Sequence, residues 1–271
     1  QFNSGSESPS FGRMVAGAGH FAYGTTIRHS DDDGDTWTQA GRTPSFEDGP
    51  MPVLPDGTTR KLDAIWTIAP GGPANPEALY AGTDLAALFR SDDGGESWDE
   101  VMGLQHHPSR SWWAPGGGGM CLHTILTHPT DPNQLRVAMS AVGFMETTDG
   151  GATWHTRHEG IREVETGQPE SEVARCVHGV APHPDDPDRL FMQFHFGVFR
   201  SDDGGKAWRH IDEKTIEFDL RDDITWHDGE KFDADDVVTL ISWVADDNSK
   251  YGRKNSFAFI KGAEKLSATR V

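Results

Sequence analysis

The sequence predicts an all-β chain of repeated four-stranded antiparallel sheets, followed by a small α+β segment. Three observations predict it. The stretch RSDDGGESW, Arg90 to Trp98, returns as HSDDDGDTW (His29 to Trp37), TTDGGATW (Thr147 to Trp154) and RSDDGGKAW (Arg200 to Trp208). Its tryptophans stand 61, 56 and 54 residues apart, the length of one four-stranded sheet rather than of one hairpin. The chain also holds 31 Gly and 16 Pro with only 35% apolar residues, as suits many short strands joined by turns. Beyond Ile211 the repeat stops and a helical period begins.

The repeated stretch explains its own composition. Asp-Gly and Gly-Gly pairs supply the positive backbone angles of a tight turn, and the Asp carboxylate accepts backbone N–H groups that the turn leaves unpaired. The Ser or Thr before most of the tryptophans suits the start of a strand, and the indole anchors the sheet. The pattern Ser/Thr-x-Asp-x-Gly-x-Ser/Thr-Trp resembles the Asp-box, or BNR, repeat of sialidase-like β-propellers. It is carried by Ser30, Asp32, Gly34, Thr36 and Trp37; by Ser91, Asp93, Gly95, Ser97 and Trp98; by Thr147, Asp149, Gly151, Thr153 and Trp154; and by Ser201, Asp203, Gly205 and Trp208, where Ala207 departs from the pattern. The resemblance implies a partial β-propeller over residues 1–211, with boxes that are structural and lie away from the ligand face.

Taken in order, residues 11–38 read as an incomplete repeat. RMVAGAGH and TTIRHS are two strands leading to the first box, with no counterpart of the inner strand that opens the later repeats. The second repeat begins at LDAIWTIAP, turns through GGPANP and continues as ALYAG and ALFRS. The third and fourth align without a gap from Cys121 to Ala138 and from Cys176 to Gln193, both with His-Pro-x-Asp-Pro at His128 and His183. Three full blades and one incomplete blade are therefore expected. Propellers of this kind close with more blades, so either open edges invite self-association or the rest of the ring is missing.

The segment 212–271 is expected to form two strands and a helix at about 233–246, capped by Asp233 with Asp236, with Val237, Leu240, Ile241 and Val244 at helical spacing. Residues Phe218, Leu220, Arg221, Trp226, His227, Asp228, Gly229, Phe232, Ala234, Asp235, Asp236 and Val237 resemble part of the family 5 extracellular solute-binding proteins, the peptide receptors of ABC importers. Solute binding is what that resemblance would imply for this segment. The likeness covers only about 57 residues of a longer two-lobed fold, so a fusion, a truncated product or a join near residues 212–214 is expected, with a genuine extra domain of two strands and a helix as the competing account.

A formal charge of −19 argues against nucleic acid or an anionic membrane as partner and suits a soluble protein. No run of 18 apolar residues exists, and the start lacks both an initiator Met and a signal-like apolar segment, so the chain reads as a fragment whose compartment is open.

In an up-and-down meander the Asp-boxes share one end with the turns between strands one and two. Ligands are expected at the opposite end, where the loops between blades gather. There the sequence collects His20 and Tyr23, Asp84, His195, and the loop LQHHPSRSWWAPGGGG with His106, His107, Arg110, Trp112 and Trp113. The adjacent indoles would make a platform for a sugar or another planar ligand, unless they pack on the neighbouring blade. His123 and His178 occupy equivalent places early in two inner strands and are expected at the channel mouth.

By ligand type Cys121, His123, Cys176 and His178 would suit zinc, but a Cys-x-His pair within one strand is no known finger. Cysteines packed as small hydrophobes and hydrogen-bonded histidines are expected instead, with no metal, no cofactor and no disulfide. Glycoside hydrolysis, implied by the family resemblance, needs two suitably spaced carboxylates, or a sialidase tyrosine with its arginines. Asp84, Glu163 and Glu165 are the candidate carboxylates. Only Tyr23, Tyr80 and Tyr251 are present, and no Phe-Arg-Ile-Pro motif occurs. The expected function is therefore non-catalytic recognition of a glycan or a protein, with an exo-acting glycoside hydrolase as the alternative.

Overall fold

The computed structural model describes residues 2–8, 12–20, 24–46, 60, 62–161, 175–195, 197–211, 217–246, 249–252 and 260–271, with backbone alone for residues 2–8 and 20. The chain divides into two compact units, Gln1–Ile211 and Asp212–Val271.

The first unit holds four antiparallel sheets, each a meander in sequence order. They are β1 (Phe2–Ser8), β2 (Arg13–His20), β3 (Gly24–Ser30) and β4 (Thr38–Gln39); β5 (Ala64–Pro70), β6 (Leu79–Asp84), β7 (Leu88–Ser91) and β8 (Asp99–Glu100); β9 (Leu122–Thr127), β10 (Leu135–Met139), β11 (Gly143–Thr147) and β12 (His155–Thr156); and β13 (Val177–His183), β14 (Asp186–Phe194), β15 (Gly197–Ser201) and β16 (Arg209–His210). The inner strands β1, β5, β9 and β13 neighbour one another in that order, the arrangement of consecutive propeller blades. The first blade is complete, contrary to the sequence expectation. Residues 2–8, whose FNSGSES lacks the apolar alternation of a strand, pair with β2 from Phe2↔Ala18 to Ser8↔Arg13.

Three apolar cores hold successive sheets together. The first joins Val15 and Ile27 to Ile65, Ile68 and Phe89; the next joins Tyr80 and Leu88 to Leu122 and Val137; the last joins Ala138 and Phe144 to Val177, Val180 and Met192. Each takes in the tryptophan of the later sheet's box: Trp98, Trp154 and Trp208 in turn. Burial on both faces of each sheet leaves every residue of β10 and β11 buried, Arg136, Glu146 and Thr147 included.

The boxes share one hydrogen-bond pattern. In the first, the Ser30 hydroxyl donates to Asp32 Oδ1 (2.7 Å) and accepts from Gly34 N (2.9 Å), while Asp32 accepts from Thr36 N (2.8 Å) and Thr36 Oγ1 (2.5 Å). Those donors, the Thr36 hydroxyl foremost, hold the exposed Asp32 carboxyl down at about 2. Trp37, Trp98 and Trp154 each donate Nε1–H to the carbonyl of their own box glycine, at 3.0, 2.9 and 3.1 Å. In the fourth box Ala207 keeps the backbone bond to Asp203 (3.0 Å) but has no hydroxyl to add, and Trp208 donates instead to the Arg157 carbonyl of the preceding sheet (3.0 Å).

A buried ion cluster also ties the third sheet to the fourth. Glu146, 1% exposed, accepts from Gln134 (2.8 Å), Arg136 (3.1 Å) and Arg157 (2.9 Å). Arg136 extends across to the Pro187 carbonyl (3.0 Å) and to Asp188 (2.8 Å) at the start of β14. Burial pushes the Glu146 carboxyl up, but its three donors and the Arg136 charge more than offset that and leave it below its ordinary value.

In the second unit the helix α1 spans Ala234–Ala245 with the expected capping box: Asp233 accepts from Asp235 N, and Asp236 accepts from Asp233 N. The two expected strands are not formed among the described residues. Isolated bridges Asp219↔Arg270 and Thr225↔Lys231 stand in their place, because the charged LRDD and HDGEK stretches leave too few apolar residues to pair a sheet. No helix among the described residues is long and apolar enough to cross a membrane.

Candidate functional site

The expected two-indole platform does not form. In the loop after the second box, Arg110–Trp112 make one turn of 3-10 helix that sends the two tryptophans opposite ways: Trp112 is 63% exposed and Trp113 fully buried. Trp113 belongs to the core between the second and third sheets and donates its indole N–H to Ser109 Oγ (3.0 Å). Ser109 in turn meets His107 Nδ1 (2.7 Å). Arg110 lies over the Trp113 ring at 5.0 Å and donates to Gln105 (2.9 Å), while burial and the nearby Arg60 lower its guanidinium to about 10. Arg110, Trp113 and His107 are therefore internal struts of the loop rather than ligand contacts. Of the five loop residues expected at the site, only His106 and Trp112 are exposed.

The inner strands carry the more coherent arrangement, through a repeated kink. The register jumps from Ile65↔Thr83 to Thr67↔Gly82 in the second sheet, from Leu122↔Met139 to Thr124↔Ala138 in the third, and from Val177↔Phe194 to Gly179↔Gln193 in the fourth. Trp66, His123 and His178 are thus each the extra residue of a β-bulge at one equivalent step. A bulge re-aims the side chain it carries. Here the three residues line a single groove of about 560 Å³, whose wall is completed by strands β13 to β15 with Phe191 and Gln193. Trp66 is 47% exposed, and no Asp, Glu, Lys or Arg of the described residues lines the groove.

Sequence reasoning missed Trp66. The signal was there: the buried pairs Ile65 and Ile68, Leu122 and Ile125, and Val177 and Val180 share a three-residue spacing that aligns Trp66 with both histidines.

His123 Nε2 meets the Val177 carbonyl (2.9 Å) and Nδ1 meets Thr124 Oγ1 (2.9 Å), so the ring donates to the next blade and accepts from its own. Burial, with a smaller contribution from His178, lowers its pKa. His178 is also lowered, by burial and then by His195, whose ring centroid is 4.6 Å away.

The proposed set Cys121, His123, Cys176 and His178 does not converge. Cys121 is 1% exposed, and burial together with the neighbouring Asp84 pushes its thiol to about 12. The donor atoms that do come together, within 4.8 Å of one another, are those of Cys176, His178 and His195. Both cysteines are free thiols. Asp84, half-buried at the end of β6, meets Cys121 and does not line the groove. Tyr23, Glu163, Glu165 and the side chain of His20 lie outside the described residues.

Comparison with solved structures agrees with this architecture. An ancestral GH74 enzyme superposes with a TM-score of 0.51 at 16% identity, over 80% of this chain and 25% of that one. A GH74 xyloglucanase from Xanthomonas campestris gives 0.42 at 16% identity, over 79% and 39% of the two chains. The intramolecular trans-sialidase from Ruminococcus gnavus, in complex with oseltamivir carboxylate, gives 0.42 at 14% identity, over 78% and 70%. The chain therefore spans about a quarter of the length of the first of these. At such identity the first of these shares the fold alone: the four sheets are consecutive blades of a β-propeller. Residues 205–271 match the bacterial extracellular solute-binding proteins, family 5 Middle. No curated protein matches the chain.

Proposed function

We propose that the propeller unit is a non-catalytic recognition module that takes an uncharged glycan in the groove along its inner strands. The observation that carries this reading is the run of bulges at Trp66, His123 and His178, which brings one half-exposed indole and two imidazoles to one wall. An indole face stacks on the apolar face of a sugar ring, while the His178 imidazole and the Gln193 amide offer hydrogen bonds to hydroxyls. The absence of ionic groups among the described lining residues favours a neutral ligand over a sialic acid, whose carboxylate calls for arginine.

Glycan-array binding that falls at least about tenfold in Trp66→Ala, and survives in Trp112→Ala, is the expected result; tenfold corresponds to about 1.4 kcal/mol. Binding lost only in Trp112→Ala would move the site to the loop. Turnover of aryl glycosides that is lost in Asp84→Asn would replace recognition with hydrolysis.

A further inference from the structure

We infer that Cys176, His178 and His195 form a site for a zinc-like divalent cation at the rim of the groove. The topology assembles it from two adjacent strands. Pairing of Val177 with Phe194, extended by one residue, sets Cys176 across from His195 at the β14–β15 turn. The bulge at His178 then brings the third ligand onto the same spot, so that one thiol sulfur and one nitrogen of each ring lie within 4.8 Å of one another.

Zinc binds thiolate at about 2.3 Å and imidazole at about 2.0–2.1 Å in a tetrahedron, which sets ligand atoms roughly 3.5 Å apart. Closing that difference takes about 1 Å of side-chain rotation. Cys176 is half-buried and both histidines are exposed, so neither access nor that rotation is blocked by the core. On binding, the Cys176 thiol gives its proton to solvent and coordinates as thiolate. Three protein ligands leave one tetrahedral position for water or a groove ligand.

The third sheet is an internal control. Cys121 and His123 repeat the first two ligands, but the position of His195 is held there by Ser140, and Cys121 is sealed in the core. His123 has another role. Its bond to the Val177 carbonyl fixes the backbone between Cys176 and His178, which makes it a positioning residue.

The test is titration of the full chain with Co2+, a zinc substitute with a spectrum, followed by displacement with Zn2+. A thiolate-to-cobalt absorption band with tetrahedral visible bands is expected at one equivalent, and zinc should abolish both. Cys176→Ser should remove the thiolate band and His195→Ser should leave it undetectable at one equivalent. Cys121→Ser should change nothing, and His123→Ala should weaken binding about 10–100-fold while the band keeps its shape. Far-UV circular dichroism confirms that each variant is folded. Absence of a thiolate band in the folded parent chain, its survival in Cys176→Ser, or its loss in Cys121→Ser would overturn the assignment. Glycan binding is read separately through Trp66→Ala, so either proposal can fail alone.

Discussion

At the scale of single residues, the fourth Asp-box states what each hydroxyl contributes. Asp203 accepts from the Ala207 backbone as its counterparts do, yet one carboxylate oxygen lacks the partner that Thr36, Ser97 and Thr153 give theirs at 2.5–2.6 Å. Ala207→Ser should therefore raise the unfolding free energy by about 0.5–1.5 kcal/mol, read from urea melts. Gly205 answers the opposite question. Its φ is +92°, and a Cβ there would sit 2.4 Å from Phe144 in the preceding sheet. Gly205→Ala should cost about 1–3 kcal/mol, through both backbone strain and overpacking. The box pattern was legible because its residues, Trp208 apart, answer to bonds within eight positions. The fates of Trp112 and Trp113 were not legible, because one 3-10 turn decides which indole meets the core, and adjacent identical residues give no hint of which it is.

At the scale of elements, the sheets meet through their alternate faces and through one ion cluster. Glu146→Gln would leave the buried Arg136 with Asp188 alone and the half-buried Arg157 against a neutral partner, and should destabilise the contact between the third and fourth sheets by about 1.5–3 kcal/mol. The pH dependence follows from the lowered carboxyl. The stabilisation is fully present above the unfolded value, near 4.3, and is lost as pH falls through the lower folded value. The gap between parent and Glu146→Gln in denaturant midpoint should accordingly narrow as pH drops below about 4. Strand identity came through in sequence wherever apolar residues alternate. It failed at β1, where FNSGSES owes its pairing to the β2 backbone beside it, and in the second unit, where single bridges replace strands among the described residues. The bulges were hidden for the same reason: register belongs to a pair of strands, whereas a sequence displays one at a time.

At the scale of the whole molecule, 43 acidic residues against 24 Lys and Arg make self-repulsion the dominant long-range electrostatic effect. Screening should outweigh the weakening of exposed pairs such as Arg42–Asp99, so Tm should rise as NaCl goes from low ionic strength to about 0.5 M. A fall in Tm would mean that surface ion pairs contribute more than repulsion removes. The bulged step on the inner strands bears on a different matter, the freedom of the molecule to vary. Ile65 and Ile68, with their counterparts in the next two sheets, hold the backbone, while the bulged Trp66 and His178 stay exposed and only His123 reaches across to the next blade. Trp66 and His178 thus stand in interchangeable sockets, where a new side chain would alter what is bound and leave the melting point nearly untouched.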